Sequence, residues 1–435
     1  MGRLPFDKIL LGIVLVLVII GLVNLYSITY YSDKSIFLRQ IIWIILGFAV
    51  LVLLLFTNYE TLINWAIPIY VLLLILTVLT IFVGREIRGT KSWLNIMGMG
   101  IQPSEFLKIG VILLTTKYIT REGVDVKKFS TFLVVLLIFL IPIGVIMLQP
   151  DLGMAVSYFI LFLMLSLVIG LNIKYLLILL FIGFSLSFFP FFNAYIDFLT
   201  RVGVIEQVPK LINVLISREF AYAFLVSSLV IFIVSFVVSR FMKDKVRLIL
   251  GILLILFSSG FLVGNVAYNN LKPYQKNRLM VFFSPEIDRL GAGYNVIQSE
   301  IAVGSGGLFG KGFMKGSQNK LNILPEKHTD FAFAVLAEEW GIVGALFVIT
   351  LFIILFYRLL WLTSNAENKK AYLILCGATV VIFVNFAINM LMVLGLAPVT
   401  GLPLPFISYG GSSMITNLAL IGMVNNIYKE RFLLY

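Results

Sequence analysis

Long apolar runs recur along the whole chain and restrict it to one class of fold. They lie at about 9–27, 40–56, 62–83, 104–119, 132–148, 153–171, 175–192, 221–238, 248–268, 331–362, 371–394 and 412–427. Runs of this length can cross the hydrocarbon core of a bilayer as helices, which satisfy their own backbone hydrogen bonds there. Of the 435 residues, 60% are hydrophobic, more than a soluble chain of this length can bury. The sequence therefore predicts an all-α polytopic membrane protein, a single domain over 1–435 with about twelve transmembrane helices.

Basic residues in the short loops between these runs predict the orientation of the chain. The first run follows Arg3 and Lys8, and the last is followed by Lys429 and Arg431. An even number of spans puts both clusters on one side, which the positive-inside rule makes cytoplasmic. The longest loop, 269–330, then lies outside the cell, and its glycine turns between alternating apolar and polar residues predict that it is ordered. We interpret the first run as a retained helix rather than a cleavable signal peptide.

Charge and cysteine content narrow the range of ligands. The net charge of +12 fits anionic lipids and anionic lipid-linked substrates, and we expect no nucleic-acid partner. Cys376 is the only cysteine, so no intrachain disulfide forms. One cysteine and one histidine also argue against a zinc site, and we predict no metal-ligating residues.

The segment 324–341 holds the titratable groups that point most directly to chemistry. It begins as a polar loop and becomes an apolar run at Phe331, with Asp330 at the junction. A carboxylate there can contact a group that arrives from water, while its own surroundings exclude water. Such surroundings can shift the pKa of the carboxylate toward that of a general base. A second interpretation stays open, because Asp just before an apolar run often only caps the helix.

Other ionisable residues lie in or beside the apolar runs. Glu105 and Lys108 are three residues apart and so share one helix face, where ionisable groups in membrane helices normally find partners or a cavity. They fit a structural ion pair and a substrate site equally well. Asp151 follows Pro150 at a break between two runs, where it either caps a helix or joins the first two residues in one polar cluster. Trp93 suits an interfacial anchor.

Two loops are rich in glycine or proline. The run 304–312 places Lys311 among five glycines. Backbone N–H groups of such loops can approach phosphates closely, although glycine-rich loops are more often plain turns. The stretch 398–413, which contains Ser408, has so much proline and glycine that at membrane depth it must line a cavity or pack inside protein.

Taken together, these segments resemble the SEDS family of bacterial envelope proteins, the RodA/FtsW group. The resemblance rests on Trp93, Gln102-Pro103-Ser104-Glu105, Lys108, Gln149-Pro150-Asp151-Leu152-Gly153, Gly291-Ala292-Gly293-Tyr294 and the stretches 304–312, 324–331 and 403–411, in family order. It implies a peptidoglycan glycosyltransferase that polymerises lipid II on the outer face of the bacterial cytoplasmic membrane. The sequences of residues 310–318 and 337–339 resemble RodA more than FtsW, which implies a role in cell elongation and rod shape.

The resemblance also implies roles for individual residues. Asp330 matches the family's essential acidic residue and would take the proton of the acceptor sugar hydroxyl, with His328 as the rival base. The leaving undecaprenyl pyrophosphate needs positive charge, which Arg278, Lys311 or a bound divalent cation would supply. Further residues expected to bind substrate are Glu105, Lys108, Asp151, Trp93 and Ser408.

One part of the chain departs from the family pattern. Family members have about ten spans, so 193–247 is predicted to be an inserted helical pair, which leaves the sidedness of Asp330 unchanged. The implied partners are a class B penicillin-binding protein, which is a single-pass transpeptidase, and membrane proteins of the elongation complex.

Two other functions fit the same residues. A transporter that flips lipid-linked precursors would also use polar residues and broken helices around a cavity, although most ionisable groups here lie toward the outer ends of the spans. A non-catalytic scaffold of the elongation or division complex would keep its function without the chemistry of Asp330.

Overall fold

The computed structural model describes most of the chain as a set of long helices. The described residues are 6–30, 32–87, 90–96, 99–201, 214, 217–242, 245–271, 276, 292–320 and 323–433. The helices are α1 (Lys8–Tyr30), α2 (Lys34–Phe56), α3 (Tyr59–Asn64), α4 (Ala66–Val83), α5 (Pro103–Ile119), α6 (Phe129–Leu148), α7 (Leu152–Ile169), α8 (Ile173–Arg201), α9 (Arg218–Met242), α10 (Lys245–Asn270), α11 (Ala292–Ser305), α12 (Ser317–Lys320), α13 (Ala332–Ser364), α14 (Lys369–Val393) and α15 (Gly411–Leu433). The strands are β1 (Arg85–Ile87), β2 (Thr90–Ile96) and β3 (Met99–Ile101).

The long helices coincide with the predicted apolar runs, so the helical multi-pass architecture is confirmed. Within the described residues, ten helices are long and apolar enough to cross a membrane. The supported number is therefore about ten rather than the predicted twelve, because two helices in predicted positions are too short or too polar. Helix α5 has 17 residues and carries Glu105 and Lys108, and α15 buries a series of Ser, Thr and Asn side chains.

The first of two compact units comprises Met1–Asn172 and Asn295–Tyr435. Its helix α14 is the most buried of the candidate spans and packs against α5, α7 and α13. The side chain of Asn368 caps α14 by accepting the N–H of Ala371 (2.8 Å), as Asn commonly does. Polar side chains on α14 consequently meet protein rather than lipid, which makes this helix a suitable carrier of site residues.

The second unit comprises Ile173–Tyr294 and contains α8, α9 and α10. These helices pack against one another, partly through aromatic contacts such as that of Phe189 with Phe261, whose ring centroids are 4.1 Å apart. The predicted inserted pair, 193–247, begins inside α8 and ends inside α10, so its limits are not helix limits. That these helices form an insertion stays a prediction.

A small antiparallel sheet, which the sequence analysis did not predict, connects α4 to α5. Strand β2 pairs with both β1 and β3, with Arg85 opposite Trp93 and Leu94 opposite Ile101. Pro103 then begins α5, a position where its missing N–H is not needed. The sheet thereby places the polar residues of β2 beside the start of α5.

In its described residues, the predicted outer loop 269–330 includes the helical segments α11 and α12. From Asn295 onward the loop belongs to the first unit and leads into α13. Residues 277–291 lie outside the described part of the chain, and they include Arg278.

Candidate functional site

Asp330 lies in the turn before α13, where it is 3% exposed. Its N–H donates to the carbonyl of Glu326 (3.2 Å), a residue held at φ 53°. The cap of α13 is Phe331, and this helix start has no side-chain capping bond. Asp330 is therefore not the N-cap residue of α13 but the residue before it.

Asn389, on α14, holds the Asp330 turn in place. Its buried side-chain amide donates to the carbonyls of Asp330 (2.9 Å) and Leu402 (2.8 Å). A Cβ on Gly401 would lie 3.9 Å from Oδ2 of Asp330, so the carboxylate faces the backbone of the 398–413 loop. Asn389 thus joins α14, the Asp330 turn and this loop.

His328 and Ser408 lie on the same turn and the same loop. The carbonyl of His328 accepts the N–H of Tyr409 (2.8 Å), and the two rings meet edge to face at 5.8 Å. The Oγ of Ser408 is buried and accepts the N–H of Leu404 (3.0 Å). These contacts shape the loop around Asp330, while the expected substrate contacts of His328 and Ser408 stay predictions.

Two further ionisable residues near Asp330 were not among the predicted site residues. Lys327 is 4% exposed, and burial lowers the pKa of its ammonium group to about 8, against the opposing effect of the Glu339 carboxylate. Glu339 in turn accepts a hydrogen bond from Oγ of Ser27 on α1 (2.6 Å). The Asp330 turn therefore lies in a neighbourhood of buried charge rather than in a purely apolar one.

The predicted pair of Glu105 and Lys108 is present within the first unit. Lys108 Nζ lies 3.0 Å from Oε2 of Glu105, and both side chains are 2% exposed. Lys108 also donates to Oδ1 of Asn385 on α14 (3.5 Å). Since α14 also carries Asn389, one helix contacts both the Asp330 turn and this ion pair.

Several buried polar atoms on the same helices have no hydrogen-bond partner within the described residues. Five of them lie in the halves of α5, α14 and α15 nearer Asp330: Ser104 Oγ, Asn385 Nδ2, Asn389 Oδ1, Thr416 Oγ1 and Asn417 Oδ1. Thr115 Oγ1, in contrast, lies near the other end of α5. Burying such an atom without a partner costs roughly 1–3 kcal/mol. Their grouping indicates a region built to bind water or a polar ligand rather than for packing alone.

Asp151 caps a helix and also contacts the start of α5, so both predicted arrangements are present in part. Its Oδ1 accepts the N–H of Met154 (3.1 Å), and its Oδ2 accepts from Gln102 Nε2 (2.9 Å) and Ser92 Oγ (3.4 Å). Burial raises the pKa of this carboxyl above its usual value. The N–H of Gln102 donates to Ser412 Oγ on α15 (2.7 Å), which extends the network to a third helix.

The glycine-rich run lies against a break in α13 and is hydrogen-bonded to both sides of it. The break lies at Gly341, whose φ of 69° and ψ of −169° are not helical. Four backbone hydrogen bonds cross it: Lys311 to Glu338 and Gly312 to Glu339 (3.0 Å each), Ile342 to Gly307 (2.9 Å), and Val343 to Leu308 (3.1 Å), each written from N–H to carbonyl. Residues 307–312, called here the crossing segment, thereby satisfy the backbone groups that the break would leave unpaired.

The close approach of these two backbones requires glycine, because a Cβ would collide with the facing chain. A Cβ on Gly310 would lie 2.1 Å from the carbonyl oxygen of Glu339, and one on Gly341 would lie 2.3 Å from the nitrogen of Gly310. The N–H groups of Lys311 and Gly312 are bonded to α13, so they are not available to a phosphate. These two groups do not support the phosphate-binding interpretation of the run.

The carboxylate of Glu338 fixes the crossing segment and the residues after it. It is fully buried and accepts from Lys311 Nζ (2.6 Å), from the hydroxyl and N–H of Ser317 (2.7 and 2.9 Å) and from the N–H of Gln318 (3.3 Å). Lys311 is therefore part of a structural ion pair, and its expected contact with substrate stays a prediction.

The remaining predicted residues add little to the site. Trp93 is partly buried in β2, and its role stays a prediction. Arg278 lies outside the described residues. In the part of the chain that the structure describes, no group of three or more His, Cys, Asp or Glu could hold a metal ion. The suggested divalent cation accordingly stays untested.

The two asparagines of α14 were not among the predicted site residues, although their spacing carries a signal. Asn385 and Asn389 are four residues apart in an otherwise apolar run, which places both on one helix face. Polar residues in a membrane helix normally face other helices or a cavity. The same reasoning that singled out Glu105 and Lys108 would have included them.

Comparison with known proteins gives a consistent result over nearly the whole chain. The cell cycle protein family of FtsW, RodA and SpoVE matches residues 7–203 and 210–432, which include most of the predicted insertion. The peptidoglycan glycosyltransferase RodA of Treponema pallidum is 32% identical over 434 residues, covering 98% of each chain. The peptidoglycan glycosyltransferase MrdB of Escherichia coli K12 is 30% identical over 433 residues, covering 99% of this chain and 96% of its own.

Two solved structures share the fold. One belongs to a study of the structural coordination of polymerization and crosslinking by a peptidoglycan synthase complex, and its matching chain has a TM-score of 0.71, 27% identity and 99% coverage of both chains. The other is the crystal structure of the rod shape determining protein RodA of Thermus thermophilus, with a TM-score of 0.61, 25% identity and 98% coverage of both chains.

Proposed function

This chain belongs to the SEDS family of FtsW, RodA and SpoVE proteins and is a peptidoglycan glycosyltransferase, and on this basis we propose that it polymerises lipid II into glycan strands. The reaction takes place at the Asp330 end of the helical bundle. This end faces the outside of the bacterial cytoplasmic membrane, and both chain termini are cytoplasmic. The basic residues of the short loops support that orientation.

The observation that carries the proposal is the buried carboxylate of Asp330, which lies one residue before the N-cap of α13. In the proposed reaction Asp330 takes the proton of the acceptor sugar hydroxyl as the oxygen attacks the anomeric carbon of the donor. The new glycosidic bond forms while the bond from that carbon to the pyrophosphate oxygen breaks. Undecaprenyl pyrophosphate leaves with the electron pair.

The polar region between α5, α14 and α15 supports the binding of the substrate. Lys108 supplies a buried positive charge held by Glu105. Asn385 and Asn389 each have a buried polar atom with no partner among the described residues, which favours a polar ligand. We assign the sugar and diphosphate portions of the substrate to this region together with Asp151. Helix α14 contacts both this region and the Asp330 turn, which supports one continuous site.

We assign the chain to cell elongation and rod shape, with a class B penicillin-binding protein and other elongation-complex membrane proteins as partners. The relatives named RodA and MrdB support the elongation role. The similarity to a chain of a peptidoglycan synthase complex supports a crosslinking partner.

The proposal predicts that Asp330→Asn leaves a folded protein with little polymerase activity. Loss of a general base typically lowers the rate by about 10² to 10⁴-fold. The measurement is the rate of glycan formation from lipid II by the variant, purified with its transpeptidase partner. Asp125→Asn is the matched control, because Asp125 is an exposed carboxylate in the short loop between α5 and α6, and it should polymerise like the wild type.

Three outcomes would contradict parts of the proposal. Glycan formation by Asp330→Asn at the wild-type rate would exclude Asp330 as the general base. Movement of lipid II across vesicle membranes by the wild type, without polymerisation, favours a transporter. Normal cell elongation supported by Asp330→Asn would indicate a scaffold.

A further inference from the structure

Three apolar side chains of the loop before α13 are exposed although the backbone that carries them is fixed. Leu308, Phe309 and Phe313 are 63%, 82% and 44% exposed. They are called here the 308–313 patch. In a soluble loop, large apolar side chains this exposed would contact water at a cost of roughly 25 cal/mol per Å². Something apolar is therefore expected to cover them.

The patch is tied to one end of the membrane-spanning part of α13. The carbonyl of Leu308 accepts the N–H of Val343 (3.1 Å), and the carbonyl of Gly307 accepts that of Ile342 (2.9 Å). Both donors belong to the first turn after the break at Gly341. The position of this turn in the bilayer consequently sets the position of the patch.

The exposed apolar face of α13 fixes where that turn lies. It begins at Ile342 and Val343, continues through Leu346, Phe347, Ile353 and Ile354, and reaches Leu360. At 1.5 Å per residue this face is about 27 Å long, close to the roughly 30 Å of the hydrocarbon core. Ile342 therefore lies at the boundary between hydrocarbon and headgroups at the Asp330 end.

Basic residues lie beside the patch, as expected at such a boundary. Lys315 is exposed, whereas the ammonium group of the partly exposed Lys311 is held by Glu338, so Lys315 supplies the charge for lipid. Aromatic residues next to lysines are typical of segments at the membrane interface, where the ammonium groups meet anionic lipid headgroups. The charge around the patch thus favours lipid over another apolar protein surface.

We infer that the 308–313 patch inserts into the bilayer leaflet at the Asp330 end and contacts lipid acyl chains. The crossing segment would then be an interfacial anchor that is rigidly joined to α13. The inference does not depend on the proposed chemistry of Asp330, since it concerns only the surface of the loop.

Spin labelling tests the inference on the full chain in lipid nanodiscs that contain anionic lipid. Cys376 is the only cysteine and is buried, so Cys376→Ser gives a background for single labels. Labels are placed by Phe309→Cys, by Leu346→Cys on the lipid-facing part of α13, and by Asp125→Cys in an exposed loop. The collision rates of each label with oxygen, which partitions into lipid, and with a water-soluble nickel chelate are then compared.

The inference predicts an oxygen-to-nickel ratio at 309 that matches 346 and exceeds 125 several-fold. A ratio at 309 equal to that at 125 would place the patch in water and overturn the inference. Low collision rates with both reagents would show that protein, such as a second copy of the chain, covers the patch, which also overturns it. Phe313→Cys serves as a second probe and should follow 309.

Discussion

Two Glu–Lys pairs in the first unit, each with a buried carboxylate, differ in the role of that carboxylate. Glu338 accepts hydrogen bonds from four donors: the ammonium group of Lys311, the hydroxyl and N–H of Ser317, and the N–H of Gln318. Glu105 pairs with Lys108, whose next partner is Asn385 at 3.5 Å. The first carboxylate is bonded to the segments that it joins, whereas the second lies among buried polar atoms that have no partner in the described part of the chain.

The number of hydrogen-bond donors around each carboxylate distinguishes a structural role from a binding role. A satisfied buried carboxylate fixes a fold because removing it leaves several donors unpaired. A buried ion pair with few other bonds contributes little net stability, because its attraction only offsets the cost of desolvating two charges. The crossing segment thus depends on Glu338 for its structure, and the pair on α5 is the better candidate for a ligand site.

The largest expected effect is that of breaking the pair on α5. Lys108→Met leaves the carboxylate of Glu105 buried without its cation and should lower the free energy of unfolding by about 3–5 kcal/mol. Adding Glu105→Leu removes the stranded charge, so the double variant should recover most of this loss. The measurement is denaturant unfolding of the purified protein in detergent.

The double variant also separates stability from function at this pair. It should be folded yet form little glycan from lipid II, because it lacks the charges proposed to bind the substrate. A double variant that is as unstable as Lys108→Met, or one that polymerises normally, would assign the pair on α5 a structural role instead.

The second effect concerns Glu338 and should have the opposite pattern. Glu338→Leu leaves the N–H groups of Ser317 and Gln318 without their acceptor and should cost about 3 kcal/mol. Lys311→Met should cost about 1 kcal/mol or less, because Lys311 is 31% exposed and a partly exposed pair is worth little. The double variant should remain as unstable as Glu338→Leu in the same unfolding measurement, and recovery would show that the charge pair matters more than the backbone donors.

The effect that is smallest per measured step is a pH dependence that comes from Lys327. Burial lowers its pKa from 10.5 to about 8 in the folded protein, so between these values the unfolded chain binds more protons than the folded one. Stability contributed by this residue should therefore rise with pH across that window, by no more than about 1.4 kcal/mol per pH unit. Lys327→Met should remove the rise, and an unchanged pH profile of unfolding in this variant would contradict the burial of a charged Lys327.

How far the sequence predicts the structure depends on whether a feature is local. The apolar runs predict the long helices because a hydrocarbon environment leaves the backbone few alternatives, and the position of Asp330 follows from a change of polarity within a few residues. The paired asparagines of α14 were also readable from their spacing. These features depend on residues close in the chain.

The crossing segment was not predictable in the same way. Its glycines suggested a phosphate loop, but they serve a contact between residues 307–312 and 338–343, about thirty positions apart. Nothing in the local pattern of either stretch specifies the other, and the break at Gly341 lies inside one apolar run. The sheet before α5 was missed for a related reason, since its three strands are short and pair across irregular turns.

The central claim, that Asp330 removes the proton from the acceptor hydroxyl, is tested most directly by the pH dependence of glycan formation. The rate should be measured for the wild type and Asp330→Asn below about pH 7, where Lys327 stays protonated. The account predicts that the wild-type rate rises tenfold per pH unit on the acid side, as for a base that must be deprotonated, and that Asp330→Asn shows a low rate without this rise. An acid limb that persists unchanged in Asp330→Asn would contradict the account.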